Sequence, residues 1–168
     1  MNAQELLKRY NAGERDFSNA DLHGVDLREA MLRNIILRGA NLEKANLGWV
    51  SFEEADLSGA NCKQTKFNSA NLRGANLMGT DFGEANMKSA GMKQANLTGA
   101  ILRGAILIGA RFQGANLQNA NLSKSHLDGS DFTGADVTGI DITYAELGKI
   151  VGLEIPEDKK SWKAVDKA

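Results

Sequence analysis

Proline and cysteine each occur once in the 168 residues, and aromatic side chains make up only 6%. A lone thiol, Cys62, excludes an intramolecular disulfide and a thiolate metal cluster. With so few rings, bulky aromatics cannot be what fills the core, as they do in many globular domains. No apolar run is long enough to span a bilayer, and the opening MNAQELLKRYNAGERDF lacks the apolar stretch of a secretory leader. An excess of one charge is missing too. Lys and Arg number 20 against 21 Asp and Glu, for a net charge of −1. That balance gives no overall pull toward nucleic acid or acidic lipid. The expectation is a cytoplasmic protein with no direct nucleic-acid partner and no membrane partner.

Glycine is abundant, at 18 residues, and the sequence carries a five-residue period. Every fifth position from Phe17 is apolar: Phe17, Leu22, Leu27, Leu32 and onward through Cys62, Phe67, Phe82, Phe112 and Phe132 to Leu147, without interruption. A small residue, usually Ala, stands two places before most of these central residues. Asn or Asp usually stands directly before, as at Asn41, Asn76, Asn96 and Asn116. An α-helix would rotate successive central residues by roughly 140° and smear them around its circumference. A straight strand fails because five is odd, so alternate central residues would face opposite ways. The period therefore requires a short extended stretch followed by a bend, repeated. Ala and the central residue point inward, Asn or Asp points outward between them, and the next two residues turn the corner. Gly24, Gly39, Gly59, Gly74 and Gly99 fall on such corners.

Segments such as ADLSGANC, ANLRGANLMGTDF and ANLQNANLSKSHLDGSDFTGADV resemble the pentapeptide-repeat family, whose consensus is A(D/N)LXX. The resemblance covers about Arg15 to Lys149. It implies an all-β solenoid, a right-handed quadrilateral β-helix with four pentapeptides per coil and about seven coils. The opening ELLKRYNAGERDFSNADL is similar to the start of cyanobacterial members. The expected organisation is an N-terminal helical cap over 1–14, the β-helix over 15–149, and a C-terminal capping segment with a short helix over 150–168. Asn2 is the candidate N-cap of the first helix, with Leu6, Leu7 and Tyr10 on one face. At the other end Ile150, Val151, Leu153 and Ile155 precede Pro156, and Trp162 follows within EDKKSWKAVDK. Open solenoid ends invite association, so this segment is read as a cap. The rival reading is a homodimer contact, as the resemblance implies for several relatives.

Catalysis needs convergent polar groups. His23 and His126 fall in the first and sixth coils, roughly 24 Å apart along the axis. The frame points Cys62 inward as an inert small hydrophobe, and it places His126 in an Asn/Asp position, facing solvent or bonding to a neighbouring coil. No catalytic, cofactor or metal residues are assigned, and the protein is read as a non-enzyme. Asn76, Asn96 and Asn116 are expected to stack between Asp56 and Asp136 as an amide ladder between coils.

The four sides of the coil carry formal charges of −1 (from Arg15), −1 (from Ala20), 0 (from Val25) and +1 (from Ala30), summed over residues 15–149 for the first three and 30–134 for the fourth. Quinolone-resistance members of the family bind DNA gyrase as duplex mimics with a strongly acidic surface, and a DNA-mimicking gyrase modulator is the alternative that the resemblance implies. These sums lack the acidic side on which such mimicry depends. The outward frame is broken instead by Ile101 and Ile106, where Asn or Asp is usual, with Ile108 at another outward position and Trp49 on the side of Ile106. An apolar cluster on a polar rod points to contact with an unidentified protein partner.

Overall fold

The computed structural model describes residues 1–154, so Ile155, Pro156 and Trp162 of the expected C-terminal capping segment, and with them its short helix, lie outside the described residues. Helix α1 spans Ala3–Asn11. Asn2 caps it from an extended backbone, its Oδ1 accepting the Glu5 N–H at 2.8 Å. Leu6 is fully buried, and Leu7 and Tyr10 pack partly against the core. The Tyr10 hydroxyl donates to the Arg33 carbonyl at 2.9 Å, and the Arg15 guanidinium lies 4.0 Å from the Tyr10 ring centre. The helix thereby covers the first coil.

From Asp16 the backbone pairs with itself at a constant offset. Asp16 bridges to Ile36 in parallel, Asp21 to Asn41 and Asp26 to Asn46. The series continues, always twenty residues on, to the bridge between Asp131 and Val151. Twenty residues are four repeats, so each coil turns four corners before passing over its predecessor.

One repeat, Ala40 to Lys44, shows why this arrangement is stable, because each of its five N–H groups finds an acceptor. The Ala40 N–H closes the preceding corner onto the Leu37 carbonyl at 3.1 Å, and the Asn41 N–H reaches Ala20 in the coil before at 2.9 Å. The Leu42 and Lys44 N–H groups reach Asn61 and Lys63 in the coil after, at 2.7 and 2.9 Å. The fifth, on Glu43, donates to the Asn41 side-chain Oδ1 at 3.2 Å. That is the physical task of the Asn/Asp position: it accepts the N–H two residues on, which the ladder leaves over. Ser18, Met78, Thr98 and Gln118 are held in the same way by Asp16, Asn76, Asn96 and Asn116 at 2.9–3.3 Å.

This corrects the expected amide ladder. Asn76, Asn96 and Asn116 do stack in register between Asp56 and Asp136. Of the three side chains, only that of Asn76 bonds across coils, its Nδ2 donating to Asp56 Oδ1 at 3.2 Å. The oxygens of Asn76, Asn96 and Asn116 bond their own corners, whereas on the second side Asn41 Oδ1 serves both its corner and Asn61 Nδ2 of the next coil, at 3.2 and 3.3 Å.

Every second corner residue from Asn19 to Tyr144 adopts the left-handed conformation, with φ between 55° and 72°, whether it is glycine or not. Inside, the central residues are buried: Leu42, Cys62, Phe67, Leu97 and Phe112 are at zero exposure. One large side chain and one small one per repeat fill the narrow interior. Phe112 and Phe132, one coil apart, stack with ring centres 4.7 Å apart. Where Thr80, Ser125 and Ser130 replace the inward Ala, their hydroxyls donate to the carbonyls of Leu57, Leu122 and Leu127 at 2.6–2.7 Å. These buried polar groups are therefore satisfied.

Candidate functional site

The outward side chains stack in columns, one residue every twenty, on four sides that begin at Arg15, Ala20, Val25 and Ala30. Ile101 stands on the second side, 40% exposed, in register between Asp81 and Asn121. Ile106 and Ile108 stand on the third side, 36% and 37% exposed. Ile106 lies in register between Asn86 and His126. Trp49 is on the third side as well, 57% exposed, and it occupies a left-handed corner with φ 56°. A bulky residue seldom takes that conformation.

The isoleucines leave a corner N–H without its usual acceptor. An aliphatic side chain cannot accept the N–H two residues on. Neither the Arg103 nor the Ile108 N–H has an acceptor among the described residues, although the equivalent groups of Thr98 and Gln118 do. Ile101 also borders an open depression of about 580 Å³ whose charges are of both signs: Glu43, Asp81 and Glu84 against Lys63, Arg103 and Lys124. Lys63 pairs there with Asp81 at 3.1 Å.

His23, Cys62 and His126 stand in different coils. Cys62 is buried, and that burial, then the nearby Asp81 charge, pushes its thiol pKa well above the ordinary value. His126 Nδ1 lies 2.9 Å from Glu146 Oε2, its stacked neighbour in the next coil. Among the described residues no three His, Cys, Asp or Glu side chains gather as a metal site would need, and no helix is long and apolar enough to cross a membrane. At the C-terminal end Val151 is 54% exposed in the last bridge, while Ile150 and Leu153 are half-buried against the core.

One feature was not anticipated from the sequence. The third- and fourth-side repeats in three successive coils, residues 65–74, 85–94 and 105–114, contain Lys66, Arg73, Lys88, Lys93 and Arg111 and no Asp or Glu. All five side chains are exposed, and none makes an ion pair among the described residues. Summing charge along each whole side conceals this, because Asp26, Glu53, Asp128 and Asp131 near the ends cancel the cations of the middle. The twenty-residue register is the signal that exposes it.

The Asn/Asp rule is also broken unevenly. On the first and second sides, only Ile36 and Ile101 depart from it between Asp16 and Asp141. On the third and fourth sides departures outnumber adherence, with Lys66, Gly91, Ile106 and Arg111 in the three middle coils.

No curated protein matches the sequence. Among solved structures, a pentapeptide repeat protein of the Arabidopsis thaliana thylakoid lumen is 30% identical with a TM-score of 0.56, covering 62% of this chain and 70% of that one. A protein involved in heterocyst differentiation regulation in the cyanobacterium Nostoc is 25% identical with a TM-score of 0.25, over 92% and 100% of the two chains. A plasmid-mediated fluoroquinolone resistance protein is 19% identical with a TM-score of 0.41, over 88% and 89%. The family model for pentapeptide repeats matches in eight copies, over residues 16–53, 45–83, 67–104 and 105–143. With its twenty-residue register and buried five-residue frame, the chain belongs to the pentapeptide repeat family.

Proposed function

We propose that this protein is a non-enzymatic scaffold that works by protein–protein contact, through the surface of one coil around Ile101, Ile106 and Ile108. The observation that carries the reading is the forfeited corner bond. At 101 and 106 the chain gives up the side-chain acceptor that Asn96 and Asn116 supply, and presents an exposed isoleucine in its place. Departures from a locally consistent rule concentrate where function imposes its own demand. Trp49, exposed in a strained corner on the third side, fits the same surface. The finer architecture is taken to be a right-handed quadrilateral coil of about seven turns. The cationic middle of the third and fourth sides disfavours the alternative, a DNA-mimicking gyrase modulator, which needs an unbroken acidic stripe along the rod.

The test is affinity capture from a lysate of the source organism, comparing the parent with an Ile101→Asn, Ile106→Asn, Ile108→Asn variant. A partner held by the parent and released by the variant supports the contact. Gyrase subunits retained by both would replace it with the mimicry reading.

A further inference from the structure

We infer that the third and fourth sides between Trp49 and Ile108 form a docking surface for an acidic protein, whose carboxylates meet the Lys66, Lys88, Lys93 and Arg111 cluster while its apolar side chains seat against Trp49 at one end and Ile106 and Ile108 at the other. The inference rests on the protein-contact reading and specifies the partner's chemistry. Register brings these residues together. Lys66, Asn86 and Ile106 stack in one column, and Asn71, Gly91 and Arg111 stack in the column beside it. Ser69 bonds to the Lys88 carbonyl and Ser89 to that of Ile108, so Lys88 and Ile108 stack as well. With coils about 4.8 Å apart, the cations occupy roughly 10 Å of the axis and the apolar ends stand roughly 14 Å apart.

Gly91 sharpens the cluster. It is buried, and a Cβ placed on it would lie 3.4 Å from Arg111 Nη2. The guanidinium therefore leans back one coil over the glycine, toward the level of Lys93. Arg73 and Lys93 in turn line a depression of about 520 Å³ with Gln94, Gln113 and Gly114. The three coils hold no carboxylate on these two sides, Asp131 standing in register one coil beyond Arg111, and an anionic partner relieves the repulsion among the exposed cations.

The apolar ends decide which anion. A phosphodiester backbone would satisfy the cations but offers nothing to Ile106 and Ile108. A lipid headgroup surface is broad and flat, whereas this patch is confined to two sides of three coils. An acidic polypeptide supplies both chemistries in one molecule.

The test uses the full chain and defined probes, with binding followed by fluorescence anisotropy at low salt. The probes are labelled poly-glutamate, a random glutamate–tyrosine copolymer, a duplex DNA, and phosphatidylglycerol vesicles read by co-sedimentation. The copolymer should bind most tightly and poly-glutamate next. A Lys88→Glu, Lys93→Glu, Arg111→Glu variant should weaken both by roughly tenfold or more. A Lys88→Gln, Lys93→Gln, Arg111→Gln variant with an unchanged circular-dichroism spectrum separates loss of charge from loss of fold. The Ile101→Asn, Ile106→Asn, Ile108→Asn variant should lose only the copolymer's advantage. If that advantage survives the isoleucine changes while charge reversal abolishes binding, the isoleucine contact fails and the acidic partner stands. Tighter binding to duplex DNA or to vesicles, or equal poly-glutamate binding by parent and charge-reversed chain, overturns the inference.

Discussion

Gly99 and Gly91 allow the corner geometry to be tested with one chemical change at two places. Gly99 is a corner residue with φ 63°, and a Cβ there would meet nothing within 4 Å. Gly91 holds an Asn/Asp position outside the left-handed region, and its Cβ would meet only the Arg111 guanidinium at 3.4 Å before ordinary contact distances are reached. Adding a methyl group to either restricts the unfolded chain and contributes about 0.4–1 kcal/mol of stability. At Gly99 that gain is outweighed by the cost of placing an L-residue in the left-handed region, roughly 1–2 kcal/mol. Gly99→Ala is therefore expected to destabilise by about 0.5–1 kcal/mol. Gly91→Ala should stabilise by about 0.5 kcal/mol, since Arg111 is a flexible side chain that can move aside. Equilibrium guanidinium unfolding followed by far-ultraviolet circular dichroism measures both, and equal m-values in the two variants license the comparison. The gap of about 1–1.5 kcal/mol corresponds to a few degrees in Tm for a chain of this size. If Gly99→Ala proves as stable as Gly91→Ala, the left-handed corner carries no such strain.

Asn116→Ala removes the acceptor that holds the Gln118 N–H at 3.0 Å. It should cost about 1 kcal/mol in the same assay, with Asn116→Asp close to neutral. Asp131 and Asp136 sit below the usual carboxylate range, Asp131 chiefly through the Thr133 hydroxyl and Asp136 chiefly through the Thr138 N–H. A pKa depressed in the folded state means that the unfolded chain binds the proton more readily. Their contribution is thus present above the unfolded value and is lost as pH falls through the folded one. Unfolding midpoints measured from pH 6 to pH 2 should decline more gently in the Asp131→Asn, Asp136→Asn double variant than in the parent. Cys62, buried and raised in pKa, should resist a maleimide in native buffer and react readily in guanidinium; fast native labelling would contradict its position in the core.

The buried frame was legible residue by residue, because one inward side chain every five admits no regular helix or straight strand. The twenty-residue register was not contained in that period, since five fixes the repeat and not the number of sides. It came through the family resemblance, and the bridges from Asp16 to Val151 bear it out. The corner chemistry was half legible. Glycine marked places such as Gly99, yet Glu54, Gln94 and Lys124 take the same conformation without the residue type that announces it. The outward placement of Asn41 and its equivalents, and the stacking of Asn76, Asn96 and Asn116, follow from the frame and the twenty-residue register. Their preference for bonding the N–H two residues on is a local property that could have been used. The exposed isoleucines were legible as departures from the frame. The cationic cluster is hidden in the linear sequence because its members are separated by as many as 45 residues, from Lys66 to Arg111, and become neighbours only through the coil.

The constant twenty-residue offset has a consequence for insertions and deletions. Removing or duplicating four consecutive repeats would shorten or lengthen the rod by one storey and leave every downstream column on its own side. Removing a single repeat would keep the interior frame intact and rotate everything beyond it by a quarter turn. A five-residue deletion between Trp49 and Lys66, for example, would carry Lys66, Lys88 and Ile106 off the side that Trp49 occupies, with no buried residue exchanged for one of another class. Length changes in such a chain are therefore filtered less by whether the rod still folds than by whether its outward columns still line up.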